Sequence, residues 1–152
     1  MRTVAAIFLV AAALYASPEE DMSRVIDAVY RADGETILNC LSYENQEALA
    51  TVISMVRLVP EQVSEQLREQ LDVQLSPGEV ASLTGEEMIS VIVDSPFFRS
   101  EIPPSRDMIS CDSHTMHGDT AYVFITIVNE DSVYSYPMML QDGSWKISRS
   151  FF

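Results

Sequence analysis

Residues 120–148, TAYVFITIVNEDSVYSYPMMLQDGSWKIS, decide the fold because their apolar side chains recur with a period of two, the period of a β-strand. Asp142-Gly143 sits between alternating residues and is a strong short hairpin signal. With those two as the turn, Leu140 faces Trp145, Met138 faces Ile147, Tyr136 faces Arg149 and Tyr134 faces Phe151. Residues opposite one another across strands share a face of the sheet. A two-residue turn at Glu130-Asp131 then adds Ile127, Ile125, Val123 and Ala121 to that face. It is apolar except for the tyrosine hydroxyls and Arg149. The other face carries Thr126, Ser135, Lys146, Ser148 and Ser150, with Tyr122, Phe124 and Met139 among them. A one-residue slip at either turn would exchange the faces of every strand beyond it. Strands are expected at 106–113, 120–129, 132–140 and 144–151, with His117-Gly118-Asp119 as a further turn.

Upstream the period changes to that of helices. Ser17-Pro18-Glu19-Glu20, Ser76-Pro77-Gly78-Glu79 and Thr84-Gly85-Glu86-Glu87 each read as a capping box opening a helix. Met22, Val25, Ile26, Val29 and Tyr30 fall on one helical face, and Gly34 is expected to supply the left-handed stop. Ile37, Leu38 and Leu41 mark a short helical segment, and Leu49, Val52, Ile53 and Val56 the buried stripe of a helix following Ser42. Pro60 ends that helix and opens another, whose narrow stripe of Val63, Leu67 and Leu71 belongs on the surface. The helix running through Val93 is apolar nearly all round and is expected to be the most buried. Ser95-Pro96, Pro103 and Pro104 mark a loop. Helices followed by strands give an α+β fold, with N-terminal helices on one face of a C-terminal four-stranded antiparallel meander.

The first sixteen residues form a different kind of segment. Arg2, the apolar run Val4–Leu14 and Ala16 before Ser17 follow the charged, apolar, small-residue order of a secretory signal peptide. The run is too short to span a bilayer, which takes about 20 residues. The expectation is a leader at 1–16, a single domain at 17–152, a periplasmic or secreted location, and no stable membrane anchor after cleavage. The formal net charge of −14 repels nucleic acid and anionic headgroups, which disfavours both as partners. In an oxidising compartment Cys40 and Cys111 are either bridged or two buried thiols; the sequence fits both.

The order of a long first helix, further helices and a meander closing on Asp142-Gly143-Ser144-Trp145-Lys146-Ile147-Ser148 resembles the NTF2-like branch of the cystatin-like α+β folds. Exported bacterial members of that group often end in a similar strand. The resemblance covers most of 17–152 in element order, and the final hairpin is its only sequence motif. It implies a cone between sheet and helices, a site used in this group by isomerases, dehydratases, polyketide cyclases and non-catalytic binding or dimerisation modules. The fold alone selects none of these. The carboxylate base or His-Asp pair of the isomerase-like enzymes has no residue-by-residue match here.

Arg149, among Tyr134, Tyr136 and Phe151 in the inferred register, is placed to stack on a ring or meet an anion, or simply to reach water. Cys111, Asp112, His114, Met116 and His117 are the one cluster of metal-capable side chains. In a regular strand, however, His114 and His117 point to opposite faces, so no metal site is assigned. Gly-rich phosphate loops, nucleophile elbows, HExxH and EF-hand patterns are missing from the sequence. The reading is a non-catalytic module acting without a bound cofactor, taking a small apolar ligand or a protein partner at Tyr134, Tyr136, Trp145 and Arg149. The alternatives are a small isomerase- or hydrolyase-type enzyme with a helix-borne carboxylate, and a homodimer built on Tyr122, Phe124 and Met139.

Overall fold

The computed structural model describes residues 16–148. The leader expected at 1–16, apart from Ala16, and the facing positions Arg149 and Phe151 lie outside the described residues. Among the described residues seven α-helices precede the sheet: α1 (Pro18–Tyr30), α2 (Gly34–Asn39), α3 (Tyr43–Val56), α4 (Pro60–Leu71), α5 (Pro77–Ser82), α6 (Gly85–Asp94) and α7 (Pro96–Glu101). A 3-10 turn at Arg106–Met108 leads into β1 (Ile109–His117), β2 (Thr120–Ile127), β3 (Val133–Gln141) and β4 (Ser144–Ile147). The strands form an open antiparallel sheet in the order β1-β2-β3-β4. The chain is therefore α+β. No helix among the described residues is long and apolar enough to cross a membrane.

Local chemistry explains most of the boundaries. All three capping boxes are formed, with Ser17, Ser76 and Thr84 each accepting the backbone N–H three residues on. At the last hairpin, Asp142 and Gly143 both take positive φ (49° and 77°), as a type I′ turn requires. Leu140 consequently faces Trp145, and Met138 faces Ile147.

The preceding connection is longer than two residues. β2 stops at Ile127, Asn129 takes φ 70°, and the Glu130 N–H returns to the Ile127 carbonyl at 3.0 Å. Ile125 therefore faces Tyr134 rather than Tyr136, and Val123 faces Tyr136. A displacement of two keeps every side chain on its expected face. Ala121, Val123, Ile125, Met138 and Ile147 are all buried on it.

Helix α1 lies across that inner face, touching β1, β2 and β4. Met22, Val25 and Ile26 pack with Val123, Ile125, Met138, Ile147, Cys40 and Leu41 into the main core. Each large apolar side chain fully buried there stabilises by roughly 1.5–3 kcal/mol. Behind α1, Ala28, Ile37 and Val93 form a second cluster, and Leu49, Ile53 and Met88 a third.

Asp21, 1% exposed, accepts the Trp145 backbone N–H at 2.7 Å and pairs with Arg24 at 2.7 Å. The rest of the outer edge of β4 is covered by the residues after α2. The Ile147 N–H donates to the Cys40 carbonyl, the Ser42 N–H donates to the Ile147 carbonyl, and Asn45 Nδ2 donates to the same carbonyl.

Three expectations are corrected. Gly34 does not stop α1; Ala32 takes the left-handed conformation (φ 52°), and Gly34 opens α2. A Cβ on Gly34 would stand 1.9 Å from the Glu86 carbonyl oxygen, so close packing of α2 on α6 demands glycine there. Residues 96–101 form a helix rather than a loop, because the Ser95 hydroxyl accepts the Phe98 N–H and Pro96 suits a first turn. Finally, α6 is not the most buried helix. Met88 and Val93 are buried but Ile92 faces solvent, and α1 carries more of the core.

Gly34→Ala should lower unfolding free energy by about 1–3 kcal/mol through overpacking. Gly78→Ala, with nothing within 4 Å of the new methyl, should leave it unchanged or raise it; chemical denaturation compares the two. Asp21→Ala orphans the Trp145 N–H and should destabilise by about 1–3 kcal/mol in the same measurement.

Candidate functional site

A cleft of about 830 Å³ opens where the C-terminal half of α1, the segment from Phe98 to Ile109 and the inner sheet face diverge. Met22, Val25, Ile26 and Val29 form its helical wall, and Ile125, Ile127 and Ile147 line it from the sheet. Phe98, Ile102, Pro103, Pro104 and Met108 form the third wall, and Tyr30, Tyr134 and Tyr136 add phenol rings. Glu101 and Glu130, both exposed, are the charged residues among the described lining.

The third wall is held by specific contacts. The Tyr30 hydroxyl donates to the Pro103 carbonyl at 2.7 Å. Arg106 reaches α1 with Nε to Asp27 Oδ1 at 2.5 Å and Nη2 to Ser23 Oγ at 2.6 Å, and its Nη1 donates to the Ile109 carbonyl at 2.7 Å. The Val128 N–H donates to the Met108 carbonyl at 2.8 Å. On the loop side, the Tyr134 hydroxyl donates to Glu130 Oε2 at 3.0 Å, and that hydrogen bond raises the phenol's pKa above its ordinary value. Burial raises the pKa of Tyr30.

The structure brings together only part of the residue set expected from sequence. Tyr134 and Tyr136 line the cleft. Trp145 shares their sheet face and packs on the main core, but it lies outside the cleft lining. Arg149 is outside the described residues. Sequence reasoning missed Tyr30, Phe98, the two prolines and both glutamates. Pro103-Pro104 beside the apolar Phe97-Phe98 was the available signal, because a stiff proline segment next to aromatic residues makes a wall as readily as a connection.

The metal-capable cluster on β1 is rearranged by a β-bulge between Ser110 and Ser113. Ahead of the bulge Ile109 pairs with Ile127, and beyond it His114 pairs with Val123. The extra residue thus turns His114 toward α1, on the same side as Cys111, where a regular strand would turn it away. His114 Nδ1 meets Glu19 Oε1 at 2.7 Å. The Ser23 hydroxyl hydrogen-bonds Cys111, and Arg106 grips Asp27. Glu19, Ser23 and Asp27 are spaced four apart, so α1 presents one polar row to β1.

His117 points to the outer face and meets the Tyr122 ring edge-on at 5.4 Å. Among the described residues no group of three or more His, Cys, Asp or Glu side chains gathers where a metal could be held.

The bridge left open by the sequence is not formed; both thiols are free. Cys40 lies beside β4 and Cys111 on β1, so β2 and β3 intervene. Strands about 4.8 Å apart put the two well beyond the ~7 Å limit on Cα separation for a disulfide. Burial raises both thiol pKa values, which favours the unreactive thiol form.

No protein-family model matches the chain, and no curated protein or solved structure matches it significantly.

Glu19 provides a pH test. Desolvation pushes its pKa up, but hydrogen bonds from His114, its own backbone N–H and Ser17 outweigh that and hold it below the ordinary 4.5. A carboxylate depressed in the folded state contributes stability above its unfolded pKa and loses it as pH falls through the folded value. Thermal melts from about pH 6 to about pH 3 should therefore fall less steeply for Glu19→Gln than for the wild type. Parallel curves would show that the contact carries no such linkage.

Proposed function

We propose that this domain is a non-catalytic module of NTF2-like type that binds a small apolar ligand in the cleft between α1, the 98–109 segment and the inner sheet face. The observation that carries the reading is the cleft itself. Its volume of about 830 Å³ falls within the roughly 300–1,000 Å³ range of small-molecule sites. Its walls are apolar, with three phenols to orient a ligand. The order of elements and the helix-covered face of the sheet support the NTF2-like arrangement, and the charged, apolar, small-residue order of 1–16 supports an exported setting. A catalytic reading would rest on Glu101 or Glu130, the carboxylates of the described lining, and both lie exposed at its rim. Neither carboxylate has the burial that tunes a catalytic acid or base.

Ile127→Trp tests the proposal, because Ile127 lines the cleft at the half-exposed end of β2. The larger ring should occupy the site and weaken calorimetric binding of decan-1-ol by roughly tenfold or more, the equivalent of about 1.4 kcal/mol. A cooperative melt checks that the variant is folded. Equal binding by the variant, or no binding of the alcohol to the wild type, would overturn the assignment.

A further inference from the structure

We propose that the chain supplies its own occupant for this cleft: residues 149–152, Arg149-Ser150-Phe151-Phe152, dock along β3 and set Phe151 on the sheet wall, where an apolar ligand must displace it. The docking stands on the register of β3 and β4. Its role as a competitor rests on the ligand-binding reading above.

The described residues carry the register to the edge of the cleft. β3 runs from Val133 to Gln141, and β4 pairs with Met138–Gln141 of it. The Ser148 N–H takes the ladder one step further, donating to the Pro137 carbonyl at 3.1 Å. Along an antiparallel strand, residues bonded to one neighbour alternate with residues bonded to the other. Pro137 turns toward Ser148, so Ser135 presents its N–H and C=O on the same side. Residue 150 is the partner this register assigns to Ser135. Residues 149 and 151 then fall opposite Tyr136 and Tyr134.

Parity sets the direction of the side chains. Ile147 is buried on the inner face and lines the cleft, so 149 and 151 belong to that face as well. Both facing tyrosines line the cleft, and Ile125 stands across from Tyr134 on its other side. At about 3.3 Å per residue, an extended chain brings residue 151 roughly 10 Å past Ser148, alongside Tyr134. Tyr134 is 41% exposed, which leaves ring surface for Phe151 to cover. Ser150 falls on the outer face with Ser135 and Ser148, so the segment continues the apolar-in, polar-out pattern of the sheet. One ladder pair and one ring are a weak hold, and a ligand covering more of the apolar walls can replace them. The fraction of time the segment is docked then sets the apparent affinity of the site.

Nuclear Overhauser spectra of the isotope-labelled full chain should show Phe151 ring protons against the Tyr134 ring and the Ile125 methyls. Titration with decan-1-ol should erase those cross-peaks. Phe151→Ser, checked for a cooperative melt, should bind the alcohol about threefold tighter or more by calorimetry. Absence of the cross-peaks from the free protein overturns the docking. Cross-peaks seen only between differently labelled molecules overturn it too, because they seat the segment in a second copy. Cross-peaks that persist at saturating alcohol, or an unchanged affinity in Phe151→Ser, overturn the competition. In each of these cases binding of the alcohol by the wild type leaves the ligand-binding reading standing. Failure of the alcohol to bind either protein removes that reading and the competition with it, while the cross-peaks still decide the docking.

Discussion

The arrangement of the whole domain depends on how the outer edge of β4 is satisfied. Trp145 and Ile147 are two apart, so both backbone N–H groups point away from β3. An uncovered strand edge invites pairing with another chain. Here the Asp21 carboxylate takes the first N–H and the Cys40 carbonyl takes the second. One contact comes from α1 and the other from the end of α2, so closing this edge also fixes both helices relative to the sheet. Across the sheet, Glu19, Ser23 and Asp27 fasten α1 to β1 and to the turn before it. Between those polar edges Met22, Val25 and Ile26 have nowhere to go but onto the sheet face. The helix is thus held by polar contacts on two sides and by hydrophobic burial beneath.

Much of this was legible because it is written in short-range chemistry. Asp142-Gly143 specifies a type I′ turn and with it the pairing of β3 and β4. The three capping boxes specify helix starts without help from tertiary structure. The error of two residues in pairing β2 with β3 was harmless for the core, since side-chain direction depends only on whether a shift is odd or even. It was not harmless for the site, where it put Tyr136 opposite Ile125 in the place that Tyr134 takes.

What stayed hidden depends on distant partners. Local chemistry makes Gly34 a backbone device, whereas its small size answers to the Glu86 carbonyl of a helix more than fifty residues away. The bulge in β1 has no local signature such as a glycine, yet that one inserted residue decides whether His114 faces α1 or solvent. Strict alternation carried past the bulge puts each later residue on the wrong side. The carboxylate of Asp21 was likewise illegible, because an acid in a first helical turn ordinarily marks capping electrostatics rather than a strand edge.

The third wall of the cleft explains why the space persists at all. An apolar gap of this size would close if its boundary could relax, because unfilled apolar surface forfeits dispersion contacts. The boundary is instead fixed along its length. Tyr30 holds Pro103, Arg106 holds α1 through two side chains, and Met108 holds the end of β2 through its carbonyl. Pro103 and Pro104 further restrict φ where the segment turns. A wall fixed in this way loses little conformational freedom when a ligand enters, so more of the apolar contact energy is available to affinity. The anchors that keep the cleft from collapsing therefore also hold its shape in advance of any occupant.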